Sequence, residues 1–216
     1  MDDRERSRLR TAVFTLLGVI TALSLLGTAL SPYLLVKNPL LLVTISPAAH
    51  HIVLAAASVD PVPLLAVATA RRIVTSIGGY GIGLLYGRAA LGWLEPRYPR
   101  LARFVAWVEG LFARWGVLLL VVAPTATVAL FAGAARSRLI AFVLAVAVGH
   151  ALWIGVTIYV GDAFAVWTDR LTHFVGEHLL ESTLVCVTAV TLQQAWSRRR
   201  RRRQGQRMVN EPTQLP

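Results

Sequence analysis

Residues 39–58 read PLLLVTISPAAHHIVLAAAS, from Pro39 to Ser58. The run is apolar almost throughout, yet Pro47 interrupts it and His50 and His51 follow at once. Each half is too short to cross a bilayer, which takes about 20 apolar residues. A proline inside a helix removes a hydrogen bond and clashes with the preceding turn. The stretch therefore predicts two half-helices hinged at Pro47. Backbone broken at membrane depth is tolerated only where protein or a wet cavity surrounds it. The pattern recurs at Val117–Ser137, VLLLVVAPTATVALFAGAARS. A leucine-rich run precedes each proline, Pro47 and Pro124. Small residues follow, then an alanine-rich run that ends at a serine. The chain thus carries an internal repeat of a broken hydrophobic element.

The bulk composition agrees with a membrane setting. Of 216 residues, 56% are hydrophobic and only 15% are charged, with a mean hydropathy of +0.60. Such values belong to integral membrane proteins. The net charge is +11, and the charge is unevenly placed. Arg4, Arg6, Arg8 and Arg10 precede the first apolar run, and Arg198 to Arg203 follow the last. Nucleic-acid binding would need stacking aromatics and a folded reader around that run, and neither is present. The basic ends read instead as cytoplasmic topology signals and as attraction for anionic lipid headgroups at the tail. The single cysteine, Cys186, excludes an intramolecular disulfide and a cysteine metal cluster.

Outward from the broken elements, four spanning helices are expected: Thr11–Leu30, Val62–Tyr86, Leu139–Val160 and Leu179–Trp196. Ser31–Asn38 reads as a turn, and Asp60-Pro61 as another. Leu101, Phe104, Val105, Val108, Leu111 and Phe112 recur at helical spacing, so Arg88–Trp115 predicts an amphipathic helix in the interface. Gly161–Glu177 reads as a loop or short helix. The organisation is a basic leader at 1–10, one membrane domain at 11–197 and a disordered basic tail at 198–216. Repeat one covers about 39–88 and repeat two about 117–162.

Two basic, cytoplasmic ends require an even number of crossings. If each broken element re-enters and returns to its own side, the first dips in from outside and the second from the cytoplasm. Arg88, Arg97, Arg100, Arg103, Arg114, Arg136 and Arg138 then lie inside, and only Lys37 and Arg170 lie outside. The expected fold is an all-α multipass protein with four spanning helices and two re-entrant hairpins in an inverted-topology repeat, an architecture of many transporters.

The candidate binding residues follow from that arrangement. His50 and His51 stand just past the first bend, where an imidazole titrating near neutral pH can respond to protons. Their simpler role is to satisfy backbone groups freed by Pro47. Arg71 and Arg72 fall within an apolar helix, where each costs about 2.5–3.5 kcal/mol if it faces lipid. They would contact an anion or phosphate. The alternative is a helix that starts later, with the pair nearer the interface. His150 reads as a satisfied core histidine, and Thr125 and Thr127 as caps of the second half-helix. No Walker loop, zinc-protease motif or nucleophile elbow appears, so no enzyme, metal or cofactor is expected.

The stretch Gly79-Tyr80-Gly81-Ile82-Gly83-Leu84-Leu85-Tyr86-Gly87-Arg88 resembles the glycine-to-Gly-Arg motif of the DedA family of membrane proteins. Pro124, Ala132-Gly133, Gly149 and Trp153 resemble its second hairpin and the helix after it. The resemblance covers about Pro39 to Asp162. It implies movement of a lipid or lipid phosphate, such as undecaprenyl phosphate or a phospholipid, across the plasma membrane, with proton coupling. It also implies substrate or proton-binding roles for Arg88 and Thr127 and structural-hinge roles for Gly79 and Gly87. The family's acidic residue is here His50 or His51. Its aspartate is Tyr80, its tyrosine is Leu84 and its arginine after the second proline is Thr127. With those charges lost, a non-transporting scaffold or accessory subunit is the competing reading, and an enzyme of lipid metabolism a third. The expected partners are membrane lipids, with a homo-oligomer left open.

Overall fold

A computed structural model describes residues 3–94, 110 and 114–210, with side chains described within 4–87, 110 and 114–197. Among the described residues every regular element is helical. The elements are α1 (Asp3–Ala29), α2 (Ser31–Lys37), α3 (Pro39–Ile45), α4 (Ala49–Ala56), α5 (Pro61–Leu94), α6 (114–122), α7 (Ala126–Ala134), α8 (Leu139–Ala163), α9 (Ala165–Glu177) and α10 (Leu179–Asn210). The expected turn at Ser31–Asn38 is instead the short helix α2. Pro32 sits in its first turn, where a missing N–H costs nothing. The expected interface helix within Arg88–Trp115 lies largely outside the described residues. The tail continues α10 as helix to Asn210, through 198–210, where a disordered segment was expected. Arginine and glutamine are good helix formers, so propensity favours the continuation.

Several hydroxyls inside the apolar helices are satisfied locally. Thr21, Thr28, Thr44 and Thr157 each donate to the carbonyl four residues back, at 2.7–2.8 Å. That bond lets a polar side chain sit in an apolar helix without an outside partner.

Among the described residues, two helices are long and apolar enough to cross a membrane, within Arg4–Ala29 and Leu139–Ala163. A third follows if α9 and α10, bent by 95° at their junction, count as one span. Helix α5 does not meet that test; Arg71 and Arg72 interrupt its apolar run. One face of α8 is exposed and apolar. Ile140, Leu144, Leu152 and Val156 form an exposed stripe on α8, opposite its buried face of Phe142, Val146, His150 and Ile154. An exposed stripe of that kind is suited to lipid rather than water.

Two cores lie on either side of the α5–α8 contact. Tyr80 packs on Phe142, ring centroids 4.7 Å apart, and Ser76 on His150, so the two helices run antiparallel. One core joins Val43, Ile52, Leu64, Ala68, Ile154 and Ile158, from α3, α4, α5 and α8. The other joins Tyr80, Leu120, Ala129, Ala132, Phe142 and Val146, from α5, α6, α7 and α8. Each long helix therefore begins against its own broken element and ends against the other one. Thus α5 packs on α7, and α8 packs on α4. Glycine permits this closeness. A Cβ at Gly133 would collide with the Tyr80 carbonyl of α5, and one at Gly161 would stand 2.7 Å from the Val53 carbonyl of α4.

Candidate functional site at the two helix breaks

Both prolines produce the same local structure. The last helical bond before the first break runs from Ser46 N–H to Leu42 O, at 2.8 Å. Before the second it runs from Ala123 N–H to Leu119 O, also at 2.8 Å. Each proline then stands at the centre of a three-residue γ-type turn. Ala48 N–H donates to Ser46 O at 2.8 Å, and Thr125 N–H donates to Ala123 O at 2.7 Å. The next half-helix starts immediately, with Ala48 or Thr125 as N-cap in extended conformation. A serine closes each element. Ser58 Oγ donates to Ala55 O at 3.4 Å, and Ser137 Oγ donates to Ala132 O at 3.0 Å. The repeat seen in sequence is thus a repeat of hydrogen-bonding pattern, with Pro47 and Pro124 at the two breaks.

The breaks differ in what satisfies the carbonyls they release. At the first break, charged and ionisable side chains take three of them. Arg71 Nη2 approaches Ile45 O at 3.5 Å. His51 Nδ1 lies 2.8 Å from Ser46 O, and since a carbonyl only accepts, Nδ1 carries the proton. Arg72 donates to Pro47 O through both Nε, at 3.2 Å, and Nη2, at 2.9 Å. Arg71 also reaches Thr75 Oγ1 at 3.1 Å and Ile20 O of α1 at 3.4 Å. The C-terminal end of α3 carries partial negative charge, so guanidinium groups are favourable there. At the second break the equivalent of Ile45 is Val122. Its carbonyl accepts from Trp153 Nε1 of α8 at 2.7 Å.

Of the expected site residues, the structure gathers His51, Arg71 and Arg72 at the first break. His51 is buried, whereas His50 is exposed, with its ring edge-on to that of His51 at 4.1 Å between centroids. Thr127 belongs to the second break, is exposed, and makes no side-chain hydrogen bond among the described residues. The N-cap is Thr125, whose Oγ1 accepts from Val128 N–H at 3.3 Å. The side chain of Arg88 lies outside the described residues. Gly79 and Gly87, expected as hinges, lie within the uninterrupted α5. They bring α5 close to α7, where a Cβ at Gly79 would stand 3.0 Å from Ala126 O and one at Gly87 would collide with Ala134.

Ser76 and Tyr80 escape the sequence reading, and His150, expected as a satisfied core histidine, is satisfied at one ring nitrogen only. Ser76 Oγ and His150 Nε2 share a hydrogen bond at 3.0 Å, while His150 Nδ1 is buried without a partner among the described residues. Tyr80 OH donates to Ser137 O at 2.6 Å and pins the end of the second broken element to α5. The spacing of a lone serine or tyrosine gives no signal for such contacts, because the partners are 57 to 74 residues away.

No family model, curated protein or solved structure matches the chain.

Proposed function

We propose that the chain is a membrane translocator of a lipid or lipid phosphate, of the kind the DedA resemblance implies. It would sit in the plasma membrane with both ends cytoplasmic. Its four crossings would flank two oppositely directed re-entrant hairpins. The observation that supports this most is the exchanged packing of the two broken elements, each held by the long helix that follows the other. Paired broken helices at the interface of two opposed repeats are where secondary transporters bind their substrates.

A second reading has its own observation. The donors of Arg71 and Arg72 and the Nδ1 proton of His51 are directed at carbonyls of the first break. Side chains engaged in that way stabilise a bend, which favours a non-transporting scaffold or accessory subunit.

Transfer of a fluorescent phospholipid between leaflets of liposomes holding the purified chain separates the readings. Translocation predicts transfer above empty liposomes, lowered by substitution of His50, His51, Arg71 or Arg72. Folded protein with no transfer supports the scaffold. Transfer unchanged in all four variants removes these residues from the binding role.

A further inference from the structure

Helix α9 follows directly on α8 and meets α10 at a bend of 95°. At about 100° per residue, its side chains sort into three faces. One is packed: Thr168 is buried and Thr172 and Val175 are half-buried, where α9 meets α2 and α4. A second is exposed and polar, with Asp169, His173 and Glu177. His173 and Glu177 stand 3.5 Å apart on it, and Val166 in the first turn is its apolar exception. The third is exposed and apolar, with Phe164 at the N-cap followed by Trp167, Leu171 and Phe174. Arg170 lies at the seam between the two exposed faces, its guanidinium 5.6 Å from the centroid of the Trp167 ring. Neither the Trp167 indole N–H nor the Arg170 guanidinium has a hydrogen-bond or ion-pair partner among the described residues.

We infer that α9 is an interfacial anchor: it lies in the headgroup layer of a phospholipid bilayer, with Trp167, Leu171 and Phe174 sunk into the acyl boundary and Asp169, His173 and Glu177 in water. An exposed surface divided into an apolar and a polar face suits neither phase alone; it fits the boundary between them. The fold puts that boundary here. Helix α8 is apolar and long enough to span, with Leu152 and Val156 exposed on its outer stripe, and α9 begins where α8 ends. Helix α10 packs on α1, another candidate span, so a helix at 95° to α10 runs along the membrane plane. The free donors of Trp167 and Arg170 then stand at the level of lipid carbonyls and phosphates, where such side chains are favoured. Leu179–Ser197 makes its crossing without α9. The inference rests on membrane insertion of α8 and α10 and is independent of translocation.

Depth measurement on the full chain in liposomes of phosphatidylglycerol and phosphatidylcholine tests the anchor. With Cys186→Ala as background, one nitroxide is attached at Leu171→Cys, His173→Cys or Leu152→Cys. Collision with oxygen, which concentrates in lipid, is compared with collision with a water-soluble nickel chelate. The Leu171→Cys label is expected about 5–10 Å into the headgroup and acyl boundary, the His173→Cys label in water, and the Leu152→Cys label deeper than both. Water at both α9 positions, with Leu152→Cys in lipid, overturns the anchor and leaves the insertion of α8 standing. Equal depth in lipid at Leu171→Cys and His173→Cys overturns it by making α9 part of a crossing. A Leu171→Cys label closed to both reagents overturns it in favour of protein on that face. Water at Leu152→Cys overturns it together with the membrane reading of the chain. All three positions are exposed, so the labels leave the fold intact, which an unchanged unfolding temperature verifies.

Discussion

Arg72 of α5 sets two nitrogens on one carbonyl oxygen, that of Pro47, at 3.2 and 2.9 Å. A residue on a long helix thereby holds the bend of the broken helix before it. Its half-buried guanidinium and the freed carbonyl each answer a cost that the other creates. An unpaired charge in such a place is expensive, and so is an orphan carbonyl.

Removal of Arg72 therefore destabilises the fold. Arg72→Met keeps the apolar stem and leaves Pro47 O without its donors, at a loss of about 2–3 kcal/mol. Arg72→Lys restores a charge-assisted donor without the two-nitrogen fork and recovers part of it. Arg71→Met costs less, near 1 kcal/mol, because its backbone contacts are longer, at 3.4 and 3.5 Å. Unfolding curves in detergent rank the three variants; a larger loss for Arg71→Met than for Arg72→Met refutes the ordering.

Trp153→Phe checks the second break. The ring still covers the same surface, but the bond to Val122 O is gone. The expected loss is about 1–2 kcal/mol. If the break is held by packing alone, Trp153→Phe leaves the unfolding midpoint in place.

Gly133→Ala tests the exchanged packing. The added methyl meets the Tyr80 carbonyl, and backbone cannot move aside as a flexible side chain can. Overpacking of this kind costs about 1–3 kcal/mol. Gly155→Ala, with nothing near its added Cβ, is the control and is expected to be neutral or slightly stabilising, since alanine is the better helix former. Similar unfolding of the two variants would argue against close α5–α7 contact.

The left-handed backbone of Arg136, with φ of 53°, closes α7. Arg136 N–H bonds to Gly133 O and Ser137 N–H to Ala132 O, the Schellman pattern that favours glycine. Arg136→Gly relieves a strain of about 1 kcal/mol and raises the unfolding temperature. A lowered temperature would show that the arginine side chain matters more than the backbone strain.

Much of this fold was legible because proline and hydrophobicity act locally. Pro47 and Pro124 end their helices by removing an N–H, whatever surrounds them, so both breaks could be placed from sequence. Apolar runs around Leu139–Ala163 are equally direct. The capping partners were not legible. Arg71 and Arg72 were visible as charges inside an apolar helix, but only tertiary packing decides that their donors meet Ile45 and Pro47 rather than a ligand. Trp153 and Tyr80 look like ordinary interface or core aromatics until α8 meets α6 and α5 meets the end of α7. Glycine was misleading in the same way. Gly79 and Gly87 read as hinges, yet helix–helix contact uses the missing Cβ and leaves α5 unbroken.

Sided labelling of the two breaks tests the opposed repeats most directly. With Cys186→Ala as background, His50→Cys and Thr127→Cys each place one thiol at an exposed position beside Pro47 and Pro124. A membrane-impermeant maleimide, applied to intact cells and then to inverted vesicles, reads the side from which each is reached. Opposed hairpins predict that His50→Cys reacts only from outside and Thr127→Cys only from the cytoplasm. Reaction of both thiols from the same side would contradict the inverted repeat.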